Sequence, residues 1–243
     1  MPEPSERSEA GVPIYRYQEP VGDDAPVGGD PDLIDAITAH IEEHLGPVEQ
    51  VFHEIVSPTV HVDIYWVAPS RSLPYHTLVT SGMSERPMSV PADMDEWAFA
   101  ELMVTLPASW PLTMEAWEEE ENYWPLRWLK TLARFPHEYG SWLGDGHTVP
   151  NGDPPERFAP STRLCGMMLV PPVSYPERFS ALEVSPGRTI HFWSLMPLYR
   201  EEMELKLKEG IDALLERLDA EGIKEVIDPA RKNVAQRRRW WFG

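Results

Sequence analysis

Three histidines and one aspartate stand where a β-sheet could bring them together. His61 and Asp63 lie two residues apart in HVDIYW, and His53 and His76 fall in the flanking apolar stretches. Imidazole and carboxylate are donors for zinc or iron, and three of them on one sheet face would equip a metal-dependent hydrolase. The spacing is not diagnostic, because a histidine bonded to an aspartate or a backbone carbonyl is the commoner use of such residues. No metal ligand and no cofactor is assigned. Ser81-Gly82-Met83-Ser84 follows a strand but lacks the Gly-x-Ser-x-Gly spacing of a nucleophile elbow. Cys165, the only cysteine, sits among Leu164, Met167, Met168 and Leu169, the setting of a buried and inert thiol. Alone it can form neither an intramolecular disulfide nor a multi-cysteine zinc site, which fits a reducing cytoplasm. There is no Walker loop and no dinucleotide fingerprint. With 40 acidic residues, paired carboxylates carry no signal. The expectation is a protein that is not an enzyme.

Charge says more. The formal net charge is −19 and the isoelectric point about 4.7, which argues against nonspecific nucleic-acid binding by the body of the protein. Between Asp93 and Glu121 there are nine acids and no lysine or arginine, ending in Trp117-Glu118-Glu119-Glu120-Glu121. Such crowding is self-repulsive, and a basic partner would relieve it, with Trp110 and Trp117 as aromatic anchors. The competing reading is a solvated acidic loop whose tryptophans turn to the core. The tail reverses the sign: Arg237, Arg238 and Arg239 precede Trp240, Trp241 and Phe242. It suits phosphate pairing and base stacking, or folding back onto the acidic face.

These residues need elements to hold them. Val60, Val62, Ile64 and Trp66 alternate with His61, Asp63 and Tyr65, predicting a strand with one core side and one polar side open to a partner. Asp30, Pro31 and the stripe Leu33, Ile37, Ile41, Leu45 predict a helix stopped by Gly46-Pro47. Val48 to Val56 and Tyr75 to Thr80 read as further strands, with a turn at Ser57-Pro58. Trp97 to Leu106 fits helix or strand, and Pro107 ends either. Tyr123 to Phe135 has helical spacing, and Gly144 to Pro155 reads as a loop. Arg163 to Val170 and Ile190 to Met196 read as buried strands joined by a proline-rich connection. A last helix is predicted over Leu198 to Leu218. Residues 1 to 30 hold five prolines and seven acids, a composition expected to stay mobile unless Ile14, Tyr15 and Tyr17 dock. Hydrophobic residues at 42% suffice for a sizeable core over the remainder. No run reaches the roughly 18 apolar residues of a membrane helix, and MPEPSERSEAG is no secretory signal, so a cytoplasmic location is expected.

In order along the chain, six pieces resemble a single suppressor of fused domain of the kind found in bacteria. They are HVDIYWVAPSR, LVTSGMS, ELMVTLP with the following Trp110, LKTLARFPHEYGSWLGDGHTVP, FWSLMPLYREEMELKLKEGIDALLERL and DPARKN. The resemblance spans about residues 31 to 235. It implies an α/β fold of the α+β type, a mixed β-sheet flanked by helices, and makes ELMVTLP a strand. Animal members are adaptors that retain zinc-finger transcription factors and carry a further C-terminal domain. The bacterial side of the family implies an immunity protein that neutralises a polymorphic toxin. Where the animal pattern has Gly-Asp-His, this chain reads Gly144-Asp145-Gly146-His147, so no animal partner contact is carried over.

The reading is therefore one domain over residues 31–243 that binds a partner protein, an immunity-type inhibitor or adaptor. Its contacts are expected at Trp117, Glu118, Glu119, Glu120 and Glu121, with His61, Asp63 and Tyr65 from the polar strand face. A toxin with a basic, nucleic-acid-binding active site would suit the acidic surface. The alternatives are a metal-dependent hydrolase using His61, Asp63 and His76, and a nucleic-acid-associated regulator acting through the basic tail.

Overall fold

The computed structural model describes residues 4–17, 19–20, 29–53 and 60–236. Asp30 caps the first helix, α1 (Pro31–His44), accepting from the amides of Asp32 and Leu33. The helix buries Leu33, Ile37, His40 and Ile41, the stripe expected from the i, i+4 spacing. The strands β3 (Val48–Phe52), β4 (Asp63–Val67), β5 (Tyr75–Ser81) and β6 (Phe99–Pro107) follow as an antiparallel run. After β6 come α2 (Glu120–Tyr139), β7 (Thr148–Pro150), β8 (Leu164–Val170), β9 (Ala181–Ser185) and β10 (Arg188–Tyr199). Two short helices follow, α3 (Arg200–Glu209) and α4 (Ile211–Ala220). Near the start, β1 (Glu6–Arg7) and β2 (Pro13–Ile14) make a small antiparallel hairpin.

The main sheet runs β3-β4-β5-β6-β10-β8-β7, with β9 also paired to β10. It is mixed because β10 lies parallel to β6 while its other partners are antiparallel. One face packs on α2 through Ile64, Leu78, Leu102, Val104, Trp124, Leu129 and Leu132. The other face packs on α1 through Tyr65, Val67, Val79, Met103 and Phe192. Further along, α3 and α4 cover Met168, Val170, Met196 and Leu198 on that same face. A sheet covered on both sides explains why β6 and β8 read as nearly continuous apolar runs. That burial is what made Trp97 to Leu106 ambiguous, and the strand alternative is correct.

Other expectations change in detail. The predicted last helix is two helices: Leu198 and Tyr199 finish β10, and Gly210, at φ 95°, breaks the rest into α3 and α4. The break shifts the phase of the stripe, leaving Leu207 38% exposed while Leu214 and Leu218 are buried. The proline-rich connection contains β9, and the loop expected at Gly144 to Pro155 contains β7. Ser57-Pro58 lies outside the described residues, as do Arg237 to Phe242 of the tail. In the N-terminal segment, Tyr17 packs edge-on against Phe135 at 5.1 Å and bonds the Ser141 hydroxyl.

The DPARKN segment is fastened by a buried ion pair. Arg231 reaches both Glu202 carboxylate oxygens, at 2.8 and 2.5 Å, and donates to the Pro197 carbonyl. Glu202 also accepts from the amides of Tyr199 and Val234, so one carboxylate joins β10, α3 and the C-terminal segment.

Candidate functional site

Asp63 opens β4, and its carboxylate is held between two imidazoles. His61 Nε2 lies 2.9 Å from Oδ1 and His53 Nδ1 lies 3.0 Å from Oδ2. The register produces this meeting: Phe52 of β3 pairs with Ile64, so the next residue, His53, arrives beside Asp63. His76 does not join them. It points to the opposite face, where its Nδ1 accepts from the Trp66 indole at 3.0 Å and its Nε2 lies 3.2 Å from the Ala108 carbonyl. Burial lowers its pKa. The set His61, Asp63 and His76 required for a metal-dependent hydrolase is thus split by the sheet. Among the described residues no group of three His, Cys, Asp or Glu is arranged to hold a metal.

The polar strand face needs a correction at Asp63 and Tyr65, which are both buried. Asp63, Tyr65 and Val67 share the face under α1, and Tyr65 is only 4% exposed. Period-two alternation distinguished the two faces but not whether one stayed open. His61 keeps part of its ring in solvent, and His53 more of it.

Beside this cluster is a residue that the sequence did not single out. Glu101, in the middle of β6, is fully buried. Its Oε1 accepts from the amides of Gly82 and Ser84, both at 3.0 Å, and from the Ser84 hydroxyl at 2.6 Å. Its Oε2 accepts from Thr80 Oγ1 at 2.6 Å. Burial raises the pKa of this carboxyl, while the four donors oppose the rise. The Thr80–Ser84 turn is therefore folded around a carboxylate, a structural use for what resembled a serine motif. Gly82 adopts φ 124°, and a Cβ there would meet the His61 carbonyl oxygen at 2.0 Å. The available signal was a lone acid inside an otherwise apolar strand, obscured by the overall acidity.

The acidic segment divides at β6. Its C-terminal part forms a lip running into the first turn of α2, in which Glu115, Glu118, Glu119 and Glu121 are exposed. Glu120 is taken up by Arg127, at 2.6 Å. The other four have no ion-pair partner among the described residues. Met114, beside them, is 74% exposed. Trp117 turns inward, with its ring edge-on to Phe52 at 4.7 Å, and Trp110 donates its indole N–H to the Asn122 carbonyl. The lip is thus a row of solvated carboxylates backed by a partly buried indole.

The Gly144-Asp145-Gly146-His147 stretch lies against α3. Lys206 donates its ammonium to the Gly146 carbonyl at 2.5 Å and to Thr148 Oγ1 at 2.8 Å. Burial lowers the Lys206 pKa to about 8, against the opposing pull of Asp145. His147 packs edge-on against Trp142, and burial, reinforced by Lys206, lowers its pKa to about 4. Both groups serve the loop's geometry. No helix among the described residues is long and apolar enough to cross a membrane.

The family model for suppressor of fused protein (SUFU) matches residues 58–232. Among solved structures, a SUFU homolog from Neisseria gonorrhoeae FA 1090 is similar, with a TM-score of 0.60 and 16% identity, over 85% of this chain and 98% of that one. The Sufu–Fu complex gives a TM-score of 0.59 at 16% identity, over 85% of this chain and 93% of the other. Drosophila Suppressor of Fused gives 0.55 at 14% identity, over 90% of this chain and 52% of that one. At these identities the likeness is one of fold. No curated protein sequence matches the chain. The family model covers well over half of the sequence, on a mixed sheet flanked by helices shared with these structures: the chain belongs to the suppressor of fused family.

Proposed function

We propose that this protein is a non-catalytic binding domain that docks a basic partner protein on its acidic lip, in the manner of an immunity-type inhibitor or adaptor. The observation that carries the reading is the set Glu115, Glu118, Glu119 and Glu121, exposed and in no ion pair among the described residues, with Arg127 taken up by Glu120. Like charges clustered on one surface attract a cationic surface and speed the encounter. Met114 adds exposed apolar surface at the same place. Membership of the suppressor of fused family supports a partner-binding role, since one similar structure is the complex of Sufu with Fu. The polar residues that suggested chemistry support it too, because they are engaged in holding structure. His53 and His61 bond Asp63, while His76 bonds the Trp66 indole and the Ala108 carbonyl.

The experiment is co-expression with the product of the neighbouring gene, followed by co-purification and a growth assay. The expected result is a stable complex with a basic protein and relief of its toxicity. Relief that survives replacement of all four glutamates by lysine would refute the assignment of the surface. No complex with any neighbouring product would refute the immunity role.

A further inference from the structure

Three arginines converge at one corner of this strongly acidic chain. Arg157, Arg163, Cys165, Arg200 and Glu201 line a surface pocket of about 430 Å³. They come from two stretches, 157–165 and 200–201, which strand pairing brings together. Leu164 of β8 lies opposite Tyr199 of β10, which sets the adjoining Arg163 and Arg200 side by side. Arg200 donates to the Pro155 carbonyl at 2.6 Å and Arg157 to the Pro160 carbonyl at 3.3 Å. Those bonds orient each guanidinium, and neither is in an ion pair among the described residues. Arg163 meets a carboxylate, Glu201, at 3.4 Å. Glu201 also accepts from Asn233 and Gln236, so its charge is shared among three donors.

The lining thus holds three guanidinium groups against one carboxylate. The first turn of α3 begins at Arg200, and the partial positive charge of the helix start is shared with Glu201 and Glu202. Cys165 lies at the same pocket and is buried, which raises its thiol pKa and keeps it uncharged. Charges farther away than about 8 Å are largely screened at physiological salt, so the local sign governs what enters.

Among the lining residues guanidinium exceeds carboxylate, while Glu202 and Glu204 also act on Cys165 at this corner, Glu202 already paired with Arg231; the excess suits a multiply charged anion. A phosphate monoester carries about −1.5 to −2 near neutral pH and offers three acceptor oxygens to planar guanidinium forks. A single carboxylate offers less charge and fewer acceptor oxygens to those forks. We propose that the Arg157–Arg163–Arg200 pocket binds a phosphoryl group. The site is separate from the acidic lip, and the inference does not depend on the function assigned to that lip.

The test is titration of the full chain with inorganic phosphate at constant ionic strength, following the arginine Nε–Hε signals by NMR. Saturable shifts of the Arg157, Arg163 and Arg200 signals are expected, with acetate much weaker. Arg157→Ser and Arg200→Ser should each weaken binding by roughly ten-fold, the usual effect of losing one charged hydrogen-bond donor. Arg163→Ser, whose guanidinium donates only to Glu201 among the described residues, separates binding from any loosening of the loop. Unchanged backbone amide dispersion confirms that each variant is folded. A phosphoserine peptide is titrated in parallel: binding tighter than phosphate places the group on a polypeptide, and equal binding places it on a small molecule. Shifts that never saturate, acetate binding as tight as phosphate, or affinity undiminished in all three variants would overturn the proposal.

Discussion

Replacing Arg231 by methionine should be the most damaging conservative-volume change in the C-terminal third of the chain. Glu202 is fully buried and Arg231 is 8% exposed, so the pair is almost free of solvent. Removing one partner of such a pair costs about 3–5 kcal/mol, because the other charge stays buried without compensation. Here Glu202 would keep the amides of Tyr199 and Val234, which places the expected loss near the lower end, about 3 kcal/mol. For a domain of this size that corresponds to a fall in Tm of roughly 6–12 °C. Urea unfolding of the full chain, followed by tryptophan fluorescence, measures it directly. The double variant Glu202→Gln with Arg231→Met removes the orphaned charge and should recover at least about 1 kcal/mol. A single variant within about 1 kcal/mol of the parent, or a double variant worse than the single, would refute the clamp.

Two further perturbations test other parts of the frame. His147 has a pKa of about 4 in the folded chain, against an ordinary value near 6.5, so acid protonates the unfolded state first. Stability should therefore be full above pH 6.5 and fall as pH drops toward 4. Partial solvent access limits the loss to about 2 kcal/mol, and His147→Gln should abolish this part of the acid dependence in paired unfolding curves at pH 7 and 4.5. Gly82→Ala combines φ 124° with a Cβ that overlaps the His61 carbonyl. It should cost more than about 3 kcal/mol and disturb the Glu101 cradle, which loss of slow amide exchange at Gly82 and Ser84 would reveal.

Much of the frame was legible because its signals were local. Asp30, Pro31 and the Leu33–Ile41 stripe specify α1 without help from the rest of the chain. The strands at Tyr75 and Leu164 were visible as apolar runs between turn residues. What stayed hidden depends on partners far away in sequence. Tyr65 looked exposed because alternation cannot report that α1 returns over that face. The break at Gly210 was passed over because both flanking stripes are apolar, with a phase change between them. Glu101 gains its role only when β6 meets the Thr80–Ser84 turn, and Glu202 and Arg231 gain theirs only when α3 meets the C-terminal segment. The arginine pocket likewise exists only after β8 pairs with β10. The acidic lip was recognised as a charge cluster, but the inward turn of Trp117 depended on Phe52.

We propose that this member of the suppressor of fused family works by docking, with the acidic lip as the surface that draws its partner in. The direct measurement is the association rate with the co-purified partner across a range of salt, for the parent and for the chain with Glu115, Glu118, Glu119 and Glu121 changed to lysine. The account predicts a parent rate that falls steeply with salt and a variant rate at least ten-fold slower at low salt. Equal rates for the two chains, insensitive to salt, would contradict it.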